Sequence, residues 1–330
     1  MRRAPAILLA LAALCLSVPV SAEPISVDAR RIDTFKPGLD NQRFGRLEFL
    51  GGLELSSTEP LFGAWSSIRF LDDQSHFIGV LDTGHWLEGR IDRGSDGRLS
   101  GLSEVSLSPM ADRQGRFMQG KYLMDAESLA LRDDGILVGF EQRHRIDVYP
   151  REGFTTARPT SSLPLPFPTT ELRRNGGLET VVVSPLDTPL AGATITIAER
   201  SVDGDGNLFA GIVDGSLQGA FRVARHDSYD VTDGAFLPNG DLMLLERRFS
   251  LATGIGMRIR LVAGDTIKPG AIIDGEVLLD ADFGYQIDNM EGLDVIKAAD
   301  GTTHIIVVSD DNHSILQRNL MLEFRLNDER

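Results

Sequence analysis

The chain has 330 residues, with 48 acidic against 33 basic side chains, a formal charge of −15 and a single cysteine. That balance argues against nucleic acid or an anionic membrane surface as a partner and favours divalent cations. One cysteine excludes a disulfide framework, so stability has to come from a hydrophobic core.

At the amino end, Arg2 and Arg3 precede an apolar run from Ala6 to Val20 that closes in Val20-Ser21-Ala22. A short apolar run behind basic residues, ended by a small residue, has the pattern of a Sec-type signal peptide rather than a membrane span. Cleavage after Ala22 is expected, giving a periplasmic or secreted protein with no membrane insertion afterwards. Cys15 and both arginines leave with residues 1–22, so the mature chain has no thiol nucleophile and its formal charge falls from −15 to −17. Residues 23–45 read as a lead-in and 46–330 as the folded domain.

The segment from Arg46 to Leu55 alternates like a strand. Beyond it one unit recurs: a polar or Gly-containing start, an apolar strand, a turn, and an apolar return that ends in an acid. Trp65-Ser66-Ser67-Ile68 leads through Asp72-Asp73 to Val80-Leu81-Asp82. Asp125-Ala126-Glu127-Ser128 turns at Asp134-Gly135 and returns to Gly139-Phe140-Glu141. Asn175-Gly176-Gly177-Leu178-Glu179 leads to Ile197-Ala198-Glu199. Asp233-Gly234-Ala235-Phe236 turns at Asn239-Gly240 and returns to Leu244-Leu245-Glu246. Asn289-Met290-Glu291-Gly292-Leu293 passes Asp300-Gly301 and returns to Val308-Ser309-Asp310.

Turn chemistry and alternation make each unit a hairpin, and a spacing of about fifty to sixty residues suits a four-stranded blade with its loops. No window of a dozen residues keeps helical apolar spacing. The expected fold is therefore all-β, a single-domain β-propeller. Five units are clear, and Arg46 to Leu55 supplies a sixth blade, closed by Met321 to Leu326. Pro-rich Leu163-Pro164-Leu165-Pro166-Phe167-Pro168 reads as an extended connector between blades.

The stretch Phe77-Ile78-Gly79-Val80-Leu81-Asp82-Thr83-Gly84-His85-Trp86-Leu87-Glu88-Gly89-Arg90 carries a resemblance, together with Glu127-Ser128-Leu129, Gly177-Leu178-Glu179 and Glu291-Gly292-Leu293. From about Arg46 to Leu326 the chain resembles the bacterial exported family called esterase-like activity of phytase. The resemblance implies a propeller related in shape to calcium-dependent phytases and to propeller lactonases.

In a propeller the innermost strands line a channel, and the loops at one end form the binding face. Glu127, Glu179 and Glu291 stand at the start of the inner strand, while Asp82, Glu141, Glu199, Glu246 and Asp310 end the return strand. Carboxylates gathered in a low-dielectric channel repel one another unless a cation or protons compensate. Calcium is the expected cofactor, since it is hard and takes six to eight oxygens; Glu127, Glu179, Glu291, Asp82 and Asp310 are the expected ligands. The competing reading makes the same acids turn punctuation and caps for backbone amides.

Basic residues follow the return acids. Arg143, Arg200, Arg247 and His313 are candidates for holding an anionic group, with ion pairing across blades as the alternative. His85, beside Trp86, is a candidate general base or a packed loop residue; Arg143, Arg200 and Arg247 join it as catalytic candidates. Asp203-Gly204-Asp205-Gly206-Asn207 begins like a calcium loop but lacks the later glutamate, so it reads as a hairpin turn. Gly-x-Ser-x-Gly and zinc spacings are missing. The expected function is a calcium-dependent hydrolase of a small phosphorylated or ester substrate. A lactonase-like propeller and a non-enzymatic binding or scaffold propeller remain as alternatives.

Overall fold

The computed structural model describes residues 22–117, 120–250 and 254–327; the apolar run assigned to a signal peptide lies outside them. Among the described residues the fold is all-β. The helical content is one four-residue helix, Lys121–Met124, and two single turns of 3-10 helix. Among the described residues no helix is long and apolar enough to cross a membrane.

The strands form five blades, antiparallel throughout except that the two-residue strand Ile272–Ile273 adds in parallel to the edge of the third. Their innermost strands are Trp65–Phe70, Ala126–Arg132, Leu178–Val183, Asp230–Phe236 and Asn289–Lys297. Each packs beside the next, and the fifth packs beside the first, so the ring closes. Five buried apolar clusters fill the five spaces between neighbouring blades. Trp86, Leu129 and Phe140 lie between blades 1 and 2, and Phe49, Leu245 and Phe324 between blades 4 and 5. Each blade is too thin to bury both its faces alone, so the ring must close before any blade is stable.

The count corrects the six blades expected from sequence. Leu47–Ser56 does not found a blade of its own but pairs antiparallel with the carboxyl-terminal strand Asn319–Leu326. It thereby completes the fifth blade beyond Asn289–Lys297 and Thr303–Asp310. The sequence reading already set these two segments together; what it missed is that they extend the blade begun at Asn289 instead of forming a further one. Asp28–Ile32 adds to the outside of this blade, and Glu23–Pro24 pairs with Leu107 and Ser106 at the edge of blade 1. The Pro-rich connector joins the last strand of blade 2, Ser161–Leu163, to blade 3.

Candidate metal centre

One irregularity repeats in all five inner strands at the same level. The register to the second strand slips past a single residue: Ser66, Glu127, Glu179, Thr232 and Glu291 in blades 1 to 5. A bulge of this kind re-aims the side chain of its extra residue. Three of the five bulges are glutamates. The residue following the strand partner of the bulge is Asp82, Glu141, Glu199, Arg247 and Asp310 in the same order.

This register refines the sequence alignment in blade 4. Val231 pairs with Glu246, so the position held by an acid in the other four blades belongs to Arg247. Glu246 instead is buried and ion-paired to Arg260 on the third strand of its own blade. Asp125, just ahead of the inner strand of blade 2, and Asp230, the first residue of that of blade 4, complete the collection. The mouth of the channel thus gathers Asp82, Asp125, Glu127, Glu141, Glu179, Glu199, Asp230, Glu291 and Asp310.

Two triads stand out. Asp125, Glu127 and Glu141 each place a carboxylate oxygen within 4.8 Å of the others, and so do Glu141, Glu179 and Glu199. Glu141, common to both, is fixed from below. Its Oε1 accepts N–H donation from Gly176 and, at 3.0 Å, from Gly177. Glycine is required at both positions: Gly176 has φ 122°, and a Cβ on Gly177 would lie 2.3 Å from His144 Cε1. The carboxylate therefore rests in a small nest of backbone amides.

The electrostatics show how overfilled with negative charge this mouth is. Burial pushes the Glu127 carboxyl well above its ordinary range, helped by Asp125. Burial does the same to Glu179, helped by Glu127, Glu199, Glu141 and Glu291. Glu291 is pushed up by burial to about 8 despite the nearby Arg247, and Asp310 by burial to about 7. Asp125 is raised too, chiefly by burial. Without a cation the centre therefore keeps protons that solvated carboxyls would have lost at neutral pH. Some of these carboxyls exchange protons close to neutrality, which suits acid–base work.

The protein's own cations neutralise only part of the ring. Lys121 pairs with Asp82 and lies 3.5 Å from Asp125. Arg247 lies 2.9 Å from Glu199 and 3.3 Å from Glu291. Arg200 also binds Glu199 and reaches Asp230 at 3.7 Å, and Arg225 pairs with Asp230. In the first triad the buried Asp125 Oδ1 accepts no hydrogen bond and has only the Lys121 ammonium, 3.5 Å away, near it. Among the described residues no donor hydrogen-bonds the Glu179 side chain. An all-carboxylate donor set with oxygens that accept no hydrogen bond has the chemistry a hard cation such as calcium requires.

The remaining sequence candidates fall elsewhere. Arg200 and Arg247 belong to the mouth but are occupied as counter-ions. His85 is buried, its Nδ1 3.0 Å from Thr83 Oγ1, and burial lowers its pKa. Its neighbour Trp86 packs edge-on against Tyr149 and Phe154 in the core. His313 is exposed on the loop after Asp310 and lines a separate cavity with Glu54 and Glu59. Arg143 is exposed beside Glu141 and faces the Tyr122 ring at 5.7 Å. The Asp203 turn is a hairpin, with Asp203 Oδ1 accepting from the Asp205 and Asn207 amides.

One feature of the channel left no trace in the sequence pattern. Arg69 of blade 1 crosses the axis and closes the channel. Its guanidinium holds Asp233 of blade 4 with bonds of 2.7 and 2.9 Å, and donates to the carbonyls of Val181 in blade 3 and Leu293 in blade 5. Beyond this plug lies a cavity of about 190 Å³ lined from every blade, by Phe70, Leu131, Val183, Phe236 and Val295. The acidic mouth is therefore a dead end. Seen from sequence, Arg69 is one arginine in an apolar strand, and nothing local marks it as the residue on the axis.

Fold and site together define a five-bladed β-propeller with a carboxylate-lined, blind channel. The chain belongs to the phytase-like family described as esterase-like activity of phytase, which matches residues 60–313 and so includes every carboxylate of the mouth. None of the curated proteins matches the sequence. Among solved structures, an endo-arabinase from Bacteroides thetaiotaomicron is similar at 11% identity and a TM-score of 0.49, covering 82% of this chain and 96% of its own. An oxidoreductase described as a glucose dehydrogenase, from Thermus thermophilus, is similar at 13% identity and a TM-score of 0.37, covering 84% and 99%. At such distances the neighbours say nothing about the reaction.

Proposed function

We propose that this protein is an exported, calcium-dependent hydrolase of phosphoester or ester bonds in a small molecule. The observation that carries the reading is the pair of triads sharing Glu141, whose oxygens converge within 4.8 Å with too few internal cations to balance them. Asp125, Glu127, Glu141, Glu179 and Glu199 would hold the metal. Glu291, Asp82 and Asp310 complete the ring around it. Calcium bound there supplies positive charge and Lewis acidity to the scissile bond's oxygen and to the attacking water.

The chain's own residues do the rest. Arg247 and Lys121 pair with the outer carboxylates and hold them in place, and the amides of Gly176 and Gly177 fix the orientation of Glu141. The Arg69 plug makes the channel a pocket rather than a pore, so substrate enters and product leaves by the same mouth. Export is supported by the leader pattern at the amino end. The negative charge favours a small molecule over nucleic acid as partner.

Thermal unfolding of the chelated mature protein, with calcium or magnesium added back, tests the reading. Calcium at a hundred times its Kd is expected to add about 2.7 kcal/mol, with magnesium giving less. Release of p-nitrophenol from p-nitrophenyl phosphate or acetate should then follow the same calcium dependence. If no cation raises the melting temperature, the metal-dependent reading is wrong.

A further inference from the structure

The same end of the propeller also carries a patch of the opposite charge. Arg143 and His144, in the turn after Glu141, face Thr169, Thr170 and Arg174 from the connection between blades 2 and 3 across a cavity of about 430 Å³. Among the described residues no acidic side chain lines it. Arg145, also in the wall, is held by Asp147 at 2.7 Å and stacks on Phe140. Arg143 and Arg174 are different: both are exposed, and neither forms an ion pair with a described residue. That sets them apart from Arg69, Arg132, Arg200, Arg247, Arg258 and Arg260, all of which are paired; Arg113 and Arg158 are also exposed and outside any ion pair with a described residue, but the cavity they line includes no residue of the Glu141 turn.

The cavity shares a wall with the carboxylate mouth. Gln142 Nε2 donates to Asn175 Oδ1 at 2.6 Å, and the residues after Asn175 are the two glycines whose amides hold Glu141. His144 covers Gly177 from the cavity side of that wall.

We infer that this cavity is an anion subsite that takes a phosphate group. Two free guanidinium forks can each grip an oxyanion with paired N–H donors, and the hydroxyls of Thr169 and Thr170 make no hydrogen bond within the described protein. Among the described residues no carboxylate lies within ion-pair distance of either arginine, although Glu141 and Glu171 are near in sequence. A molecule of net charge −15 repels phosphorylated solutes in general; a local well of unpaired positive charge beside the mouth overcomes that repulsion where it matters. Phosphate binding stands by itself, whereas its role in presenting a phosphorylated substrate rests on the hydrolase reading above.

Calorimetric titration of the chelated protein with inorganic phosphate is the test. The wild type should bind, and Arg143→Gln/Arg174→Gln should weaken binding tenfold or more. Arg113→Gln/Arg158→Gln, which removes the same charge from another basic cavity of about 410 Å³, should leave it unchanged. Equal weakening by both pairs would reduce the effect to diffuse charge and overturn the subsite, as would absence of phosphate binding by the wild type. Acetate should bind at least tenfold more weakly; parity would overturn the assignment to phosphate. Arg143→Lys/Arg174→Lys keeps the charge without the forks and should fall between wild type and the glutamine pair. The calcium-linked rise in melting temperature should survive in every one of these variants. If phosphate binds as expected but calcium stabilises none of them, the subsite stands and the hydrolase reading falls.

Discussion

At the residue scale the mouth is governed by carboxyls that burial has forced to keep their protons. A carboxyl whose folded pKa is raised binds more protons in the folded state than in the unfolded one, so its contribution to stability is lost as pH climbs from the unfolded value to the folded one. For Glu291 that window runs from 4.5 to about 8, and for Asp310 from 3.8 to about 7. The chelated protein should therefore lose stability steadily between pH 5 and about 8. Calcium, which displaces those protons, should stabilise more strongly toward the top of that range. Glu179→Gln separates the contributions, since it removes one buried charge and one ligand together. Near pH 8 the chelated variant should melt about 2–4 °C above wild type and show no further rise with calcium, both read by thermal scans. A wild-type stability that rises from pH 5 to 8 in the absence of metal would contradict the account.

At the scale of the element, the inner strand combines two demands. Its bulge presents a side chain to the channel, and the strand below it must lie close to the next blade. Gly139 shows how close. A Cβ there would meet Ser128 Oγ at 2.1 Å and the Leu178 carbonyl of blade 3 at 3.1 Å, while Ser128 Oγ already donates to that carbonyl at 2.9 Å. Gly139→Ala should therefore cost about 1–3 kcal/mol through overpacking, measured by denaturant unfolding. Adding Ser128→Ala should return part of the loss, because the two side chains compete for one space. Strict additivity of the two substitutions would mean that the contact is not what the glycine relieves.

At the scale of the molecule, two devices make five thin blades behave as one body. One is the closure of the fifth blade by Leu47–Ser56, which ties the amino-terminal region to the carboxyl-terminal strand. The other is Arg69, which joins blade 1 to blades 3, 4 and 5 across the axis and is 6% exposed. Arg69→Met would leave Asp233 and Asp294 facing each other in the interior with no counter-charge. Breaking a buried pair in this way should cost about 3–5 kcal/mol, visible as a lower urea midpoint. A loss below about 1 kcal/mol would show that the axis tolerates an unpaired acid and that the plug contributes little.

Sequence alone determined the repeating hairpin and the acids at both ends of it, because alternation, turn residues and a fixed spacing are local properties that survive without coordinates. From these followed the propeller class, the family resemblance and the carboxylates Glu127, Glu179, Glu291, Asp82 and Asp310 as one group. Tertiary structure decided what depends on pairing between distant segments: five blades in place of six, Arg247 rather than Glu246 at the mouth, and the addition of Asp125, Asp230 and Lys121. A one-residue bulge shifts register without altering the pattern of apolar residues, so the sequence could align the hairpins but not say which of Glu246 and Arg247 faces the channel. Arg69 lay furthest beyond sequence reasoning, because a residue on the axis is defined only by the strands that surround it once the ring has closed.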